Sequence, residues 1–258
     1  MLLTCNFRSA VLRRNTQITV ILPTPEEEGA PMPTDLKVLY LLHGMHGDDT
    51  SWTRYTNVER YAKDGNIAIV MPGVGNSFYQ DMVHGERFFT FMTEELPRFI
   101  QGLFPVSRKR EDTYIAGLSM GGYGALYLGL SRPDLYSAVA SFSGAVDIAF
   151  HVTPLQLPEG APVPFFAEDC FGDMTKMKGS ERDVIAIFEK TVDKDALPRL
   201  YQSCGTKDYL YGMNVLFHKK MTELGAKIQW RSIEGFAHEW DFWDLEVKYL
   251  LHTWLKEG

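Results

Sequence analysis

The 258-residue chain has little cysteine, and what it has is scattered: Cys5, Cys170 and Cys204. An odd set without short spacing excludes a disulfide framework and a paired zinc motif, and a reducing compartment is expected. Also missing is any run of about eighteen apolar residues, so no membrane-spanning helix is expected. The segment MLLTCNFRSAVLRRNTQITVILP lacks the order of basic, apolar and small-residue stretches that marks a secretory signal. Cytoplasmic location is therefore the expectation. Positive charge is in deficit: 26 Lys and Arg against 33 Asp and Glu leave a net charge of -7. Such a chain has no basic field to attract nucleic acid or an anionic membrane as partner. Internal repeats and low-complexity tracts are absent as well.

What is present is 45% hydrophobic and 23% charged residues, an ordinary globular balance. A chain of this length buries a sizeable core without help from metal or disulfide. No linker divides it, and it reads as one domain over residues 1–258. The first 22 residues read as strands, with alternation in NTQITVILP. LKVLYLLHG (36–44), NIAIVMPG (66–73) and YSAVASFSG (136–144) are apolar runs ending in glycine, the pattern of central strands buried on both faces, and DTYIAGLSMGG (112–122) reads as strand, sharp turn and helix start. Helical spacing lies between them, including 88–104, where Pro97 fits a first turn or a kink. Later come a short helix in ERDVIAIFEKTV, a strand in RLYQSCGTKD, a helix in GMNVLFHKKMTELG, a strand in KIQWRSIEG and a closing amphipathic helix. Alternating strands and helices predict an α/β fold with a mainly parallel sheet covered on both faces, the first strands being candidates for antiparallel pairing. Residues 145–180, rich in proline, are a candidate lid or insertion.

Gly117-Leu118-Ser119-Met120-Gly121 matches G-x-S-x-G between an apolar strand and a glycine-rich helix start. That setting is the nucleophile elbow of the α/β-hydrolase fold, in which a strained strand-to-helix turn exposes the serine hydroxyl. A plain serine cap followed by small packing residues is the alternative. Serine needs a base held by an acid, in the chain order Ser, acid, His. His238, in the loop EGFAHEWDFW, is the base candidate; His218 and His252 lie in helical patterns, and His151 comes too early. Asp208 closes the strand LYQSCGTKD and is the acid candidate, with Asp147 as its main rival and Asp169, Asp173, Asp183, Asp193 and Asp195 in insertions or polar helices.

LLHGMHGDD follows the first central strand, and the main-chain N–H groups of Met45 and Met120 are candidate oxyanion donors. His43 and His46 invite a metal reading, but their loop lacks the helical H-E-x-x-H arrangement, so neither metal nor cofactor is expected. Trp52, Tyr79 and Trp240 are candidate substrate-pocket residues, with core packing as the alternative for each.

The segments YLLHGMHGDDTSW, IVMPGVGNSFYQDM, FFTFMTEELPRFIQGLFP, KREDTYIAGLSMGGYGALYLGLSRPDLYSAVASFSGAVD, CGTKDYLYGMNVLFH and GFAHEWDFWD span residues 36 to 258 almost throughout. They resemble the esterase family that includes esterase D and S-formylglutathione hydrolase, its bacterial tributyrin esterase branch in particular. The acidic loop PTPEEEGAPMP departs from the hairpin that relatives often carry. The resemblance implies a Ser119–Asp208–His238 triad, Met45 and Met120 as donors, and hydrolysis of acetyl to butyryl esters of simple alcohols or sugars. It also implies a homo-oligomer, dimer or tetramer. Feruloyl or carbohydrate acetyl esters, S-formylglutathione and other thioesters are alternative substrates. A binding protein on the same scaffold is the non-enzymatic alternative, and loss of a triad residue would mark it.

Overall fold

A computed structural model describes residues 1–25, 27–148 and 166–257, the last stretch beginning with backbone alone at Phe166. Its strands are β1 (Leu2–Arg8), β2 (Asn15–Ile21), β3 (Lys37–Leu42), β4 (Ile67–Pro72), β5 (Thr113–Leu118), β6 (Ala138–Phe142), β7 (Arg199–Gly205) and β8 (Ile228–Ile233). They form one sheet in the order β1-β2-β4-β3-β5-β6-β7-β8. β1 and β2 pair antiparallel, and β2 is antiparallel to β4, as the early alternation suggested. From β4 to β8 every neighbouring pair is parallel.

Alternation along each central strand divides the core in two. Val38, Tyr40 and Leu42 face one layer, and Leu39 and Leu41 the other. The first layer is covered by the helices Met120–Ser131 and Leu96–Leu103; the second by Val58–Gly65 and Trp240–His252. Both faces of the sheet are thus closed by helices. The helix Met120–Ser131 is buried along every residue but its last, as an apolar-all-round helix must be. No helix among the described residues is long and apolar enough to cross a membrane.

The segment 88–104 is helical, but not uniformly. A π turn, Phe91–Glu95, precedes Leu96–Leu103, with Pro97 in the first turn of the second piece. Proline lacks the N–H that a continuous helix would need there, so the wider turn and the proline coincide. The wider turn leaves Glu95 accepting N–H bonds from Ala10 at 2.7 Å and Val11 at 3.3 Å, which ties the β1–β2 loop to this helix. In the expected lid region, 149–165 lies outside the described residues; beyond it are the short helix Phe166–Phe171 and the 3-10 turn Met174–Lys176.

Parallel register carries the strand ends to one edge. Leu42 is opposite Gly117, Leu118 opposite Phe142, Phe142 opposite Ser203, and Gly205 opposite Ile233. The loops that follow β3, β5, β6, β7 and β8 therefore emerge side by side. Packing at this edge leaves no room for a side chain at Gly121, just past the turn after β5. A Cβ on Gly121 would lie 2.6 Å from both the Leu42 and the His43 carbonyl oxygens. Backbone oxygens cannot rotate away, so Gly121→Ala is expected to destabilise the fold by about 1–3 kcal/mol. At about 2–4 °C per kcal/mol for a chain of this size, thermal denaturation should show a clearly lowered midpoint. An unchanged midpoint contradicts the packing described.

Candidate active site

Ser119 occupies the turn between β5 and its helix with φ 54 and ψ -117, a conformation that residues with side chains rarely hold. The surroundings impose it. Its N–H donates to Phe142 O at 2.9 Å, and its carbonyl accepts from Gly122, Tyr123 and Ala145 at 3.0–3.1 Å. A Cβ on Gly117 would sit 2.3 Å from Gly121 O, so the two motif glycines are what let the turn close. The result leaves Ser119 half-buried, between a fully buried strand and a helix buried along all but its last residue.

His238 lies in the loop after β8. Its Nε2 is 3.0 Å from Ser119 Oγ and its Nδ1 is 2.9 Å from Asp208 Oδ2. The serine and the histidine, 119 residues apart in sequence, meet because β5 and β8 end at the same edge. The Asp208 turn and the His238 loop are stitched together by Lys207 N–H to Phe236 O at 2.9 Å and Thr206 N–H to Ile233 O at 3.0 Å. Hydroxyl, imidazole and carboxylate in this order let an imidazole take a serine proton while the carboxylate fixes its ring.

Asp208 has a fully buried side chain. Burial pushes its pKa up, but hydrogen bonding from His238 and the Leu210 N–H at 2.8 Å, with the Ser143 hydroxyl nearby, holds it below the usual carboxylate range. The carboxylate also bears on Cys204 behind it: burial first, and then the Asp208 charge, push that thiol up. Asp147, the rival acid, is half-buried beside Met213 and does not pair with His238. Asp183 caps the helix Val184–Lys190, Asp173 caps Met174–Lys176, and Asp193 accepts from the N–H groups of Asp195 and Ala196. His218 stacks on Trp230, and His252 contacts Tyr61. His151 lies outside the described residues.

The loop after β3 lies against the serine turn: a Cβ on Gly44 would be 3.3 Å from Ser119 Cβ. Among the described residues, neither Met45 nor Met120 has an acceptor for its main-chain N–H. His43 is buried beneath them. Burial lowers its pKa, in keeping with a neutral ring whose Nδ1–H donates to Gly44 O at 2.7 Å while Nε2 accepts from Val74 N–H at 3.2 Å. Asp48 and Asp49 serve local bonds, to Thr50 and to Gln17 and Thr19.

Two of the three expected pocket aromatics are core residues instead. Trp52 is 0% exposed, donates Nε1–H to Leu42 O at 3.1 Å and meets Phe142 edge-on. Tyr79 is 0% exposed and donates its hydroxyl to His43 O at 2.9 Å. Both rings are part of the apolar core, and each has a main-chain carbonyl to accept its one polar hydrogen. Trp240 is only half-buried. With the exposed ring of Tyr55, centred 4.9 Å away, it walls a cavity of about 510 Å³ that also touches Met45, His46, Asp48 and Arg54. Tyr209 and Trp243, whose rings flank His238 at 4.6 and 4.9 Å, were not among the sequence candidates. Adjacency to Asp208 and the aromatic density of EGFAHEWDFW were the available signals.

Comparison with known proteins finds relatives in both sequence and fold. Residues 9–254 match the model of the Esterase family, described as "Putative esterase". An acetyl esterase of Caldicellulosiruptor saccharolyticus is 32% identical over 255 residues, 96% of this chain and 94% of its own. Fluorophosphonate-binding serine hydrolase F of Staphylococcus aureus, solved with substrate bound, has a TM-score of 0.87 and 30% identity, covering 99% of this chain and 98% of that one. An S-formylglutathione hydrolase of Staphylococcus aureus has a TM-score of 0.84 and 30% identity over the same shares.

The depressed Asp208 pKa has a consequence for stability. A carboxyl held below its unfolded value, about 3.9, contributes stability that is present above that pH and lost as pH falls through the folded value. Wild type is expected to exceed Asp208→Asn in stability at neutral pH, with the margin shrinking below about pH 4. Denaturant titration at a series of pH values measures the margin; one that stays constant into strong acid contradicts the assignment.

Proposed function

The chain belongs to the esterase family matched over residues 9–254 and is a hydrolase of the serine esterase type; from that premise we propose that it hydrolyses short-chain carboxylic esters, acetyl to butyryl, through an acyl-enzyme on Ser119. The observation that carries the proposal is the unbroken chain of hydrogen bonds from Ser119 through His238 to Asp208.

In the proposed mechanism Ser119 Oγ attacks the ester carbonyl carbon as its proton passes to His238 Nε2. The carbonyl oxygen becomes an anion and receives the N–H groups of Met45 and Met120, each such donor contributing about 3 kcal/mol to transition-state stabilisation. The tetrahedral intermediate collapses, and His238 returns the proton to the departing alkoxide. Water then repeats the attack on the acyl-enzyme and frees the acid. Asp208 holds the Nδ1–H tautomer and stabilises the imidazolium formed at each step. The Tyr55–Trp240 cavity beside Met45 is the proposed seat of the alcohol portion, whether simple alcohol or sugar.

The acetyl esterase relative supports the short acyl chain. The likeness to an S-formylglutathione hydrolase favours a second reading, a formyl thioester as substrate. The tributyrin esterase branch is the proposed place within the family, supported by the segments shared from residue 36 onward. A cytoplasmic location is supported by three free thiols, Cys5, Cys170 and Cys204; a dimeric or tetrameric form is proposed from the resemblance.

Steady-state assays with p-nitrophenyl esters of graded length, feruloyl and acetyl-sugar esters and S-formylglutathione test the proposal. Acetyl to butyryl esters should give the highest kcat/KM. Ser119→Ala should abolish measurable turnover, and Asp208→Asn should lower kcat by about 10³–10⁴-fold. Full turnover by Ser119→Ala refutes the mechanism, and a strong preference for S-formylglutathione replaces the substrate assignment.

A further inference from the structure

On the premise that Met45 N–H receives the oxyanion, we infer that Asn76 is a positioning residue that holds this donor in place. The strain in the oxyanion loop points to it. His46, the residue after Met45, has φ 64. Such a left-handed conformation is uncommon for a residue with a side chain, and local hydrogen bonds stabilise it. The fixed partner is Asn76: the His46 N–H donates to Asn76 Oδ1 at 2.8 Å. The neighbouring turn is closed by Gly47 N–H to Gly44 O at a longer 3.2 Å, so the side chain of Asn76 supplies the shorter of the two restraints.

Asn76 is itself placed by a braced loop. The segment after β4 makes two more bonds to the root of the oxyanion loop, Val74 N–H to His43 Nε2 at 3.2 Å and Tyr79 Oη–H to His43 O at 2.9 Å. Phe78 and Tyr79 carry φ 50 and 59 in succession, and the Tyr79 N–H is taken by Ser77 Oγ at 3.1 Å. The carbonyl of Asn76 accepts from Cys170 Sγ at 3.3 Å. His43 is thereby fixed before the donor and His46 after it, with Met45 between. Removing the Asn76 amide leaves His46 N–H without its acceptor and lets the turn relax, carrying Met45 away from the developing anion.

Asn76 is half-exposed, so Asn76→Ala should fold with a melting midpoint close to that of wild type. For p-nitrophenyl acetate its kcat should fall about tenfold or more with KM within twofold. A trifluoromethyl ketone, whose serine adduct carries the oxyanion, should inhibit it more weakly by the same factor as the loss in kcat/KM. A purely structural surface bond moves neither quantity. Unchanged kcat, a loss confined to KM, or a lowered kcat with unaltered ketone inhibition overturns the role of Asn76. The underlying mechanism fails separately: if the ketone does not inhibit wild type, or Ser119→Ala retains turnover, the serine reading itself is wrong.

Discussion

Close contact between two backbones sets the geometry of the site. The helix start at Gly121 lies against the carbonyl oxygens of Leu42 and His43, where a Cβ would stand at 2.6 Å. Only glycine permits that approach, and it forces the chain through the unusual backbone of Ser119 between strand and helix. The same contact brings the loop after β3 against the serine. Two N–H groups without acceptors among the described residues, those of Met45 and Met120, belong to the two segments that meet here. The proposed nucleophile and the candidate donors thus share one packing constraint.

The proposed base and acid, His238 and Asp208, depend on a second layer of the same architecture. Parallel register aligns the carboxyl ends of β5, β7 and β8, so a turn after one strand and a loop after another can touch. Asp208 is buried, yet hydrogen bonds keep it ionised at neutral pH. A buried anion with a well-made set of donors costs less than an orphaned one, and it holds the imidazole in a single orientation. The aromatic rings of Tyr209 and Trp243 limit how far that imidazole can swing.

Much of this was legible in the sequence, for local reasons. Apolar runs ending in glycine announced the central strands, and G-x-S-x-G between a strand and a helix announced the turn at Ser119. Chain order then narrowed the base and acid to His238 and Asp208, which the fold brings together. What escaped depends on direction and distance. Trp52 and Tyr79 occur in glycine-rich or polar surroundings that read like pocket lining, but the apolar core that takes in each ring, and the carbonyl of Leu42 or His43 that accepts its polar hydrogen, are assembled only by the fold. The π turn at Phe91–Glu95 leaves only Pro97 as its trace. Ser143 beside Asp208, and Asn76 beneath His46, belong to loops brought close by the sheet alone, and no spacing rule joins them.

The central claim is that a covalent acyl group passes through Ser119. Its most direct test is mass spectrometry of protein quenched in acid during turnover of a slowly deacylating ester. A mass increase equal to one acyl group, mapped by peptide digestion to the segment containing Ser119 and absent in Ser119→Ala, is the predicted result. An adduct on any other residue, or the same adduct in the alanine variant, contradicts the account.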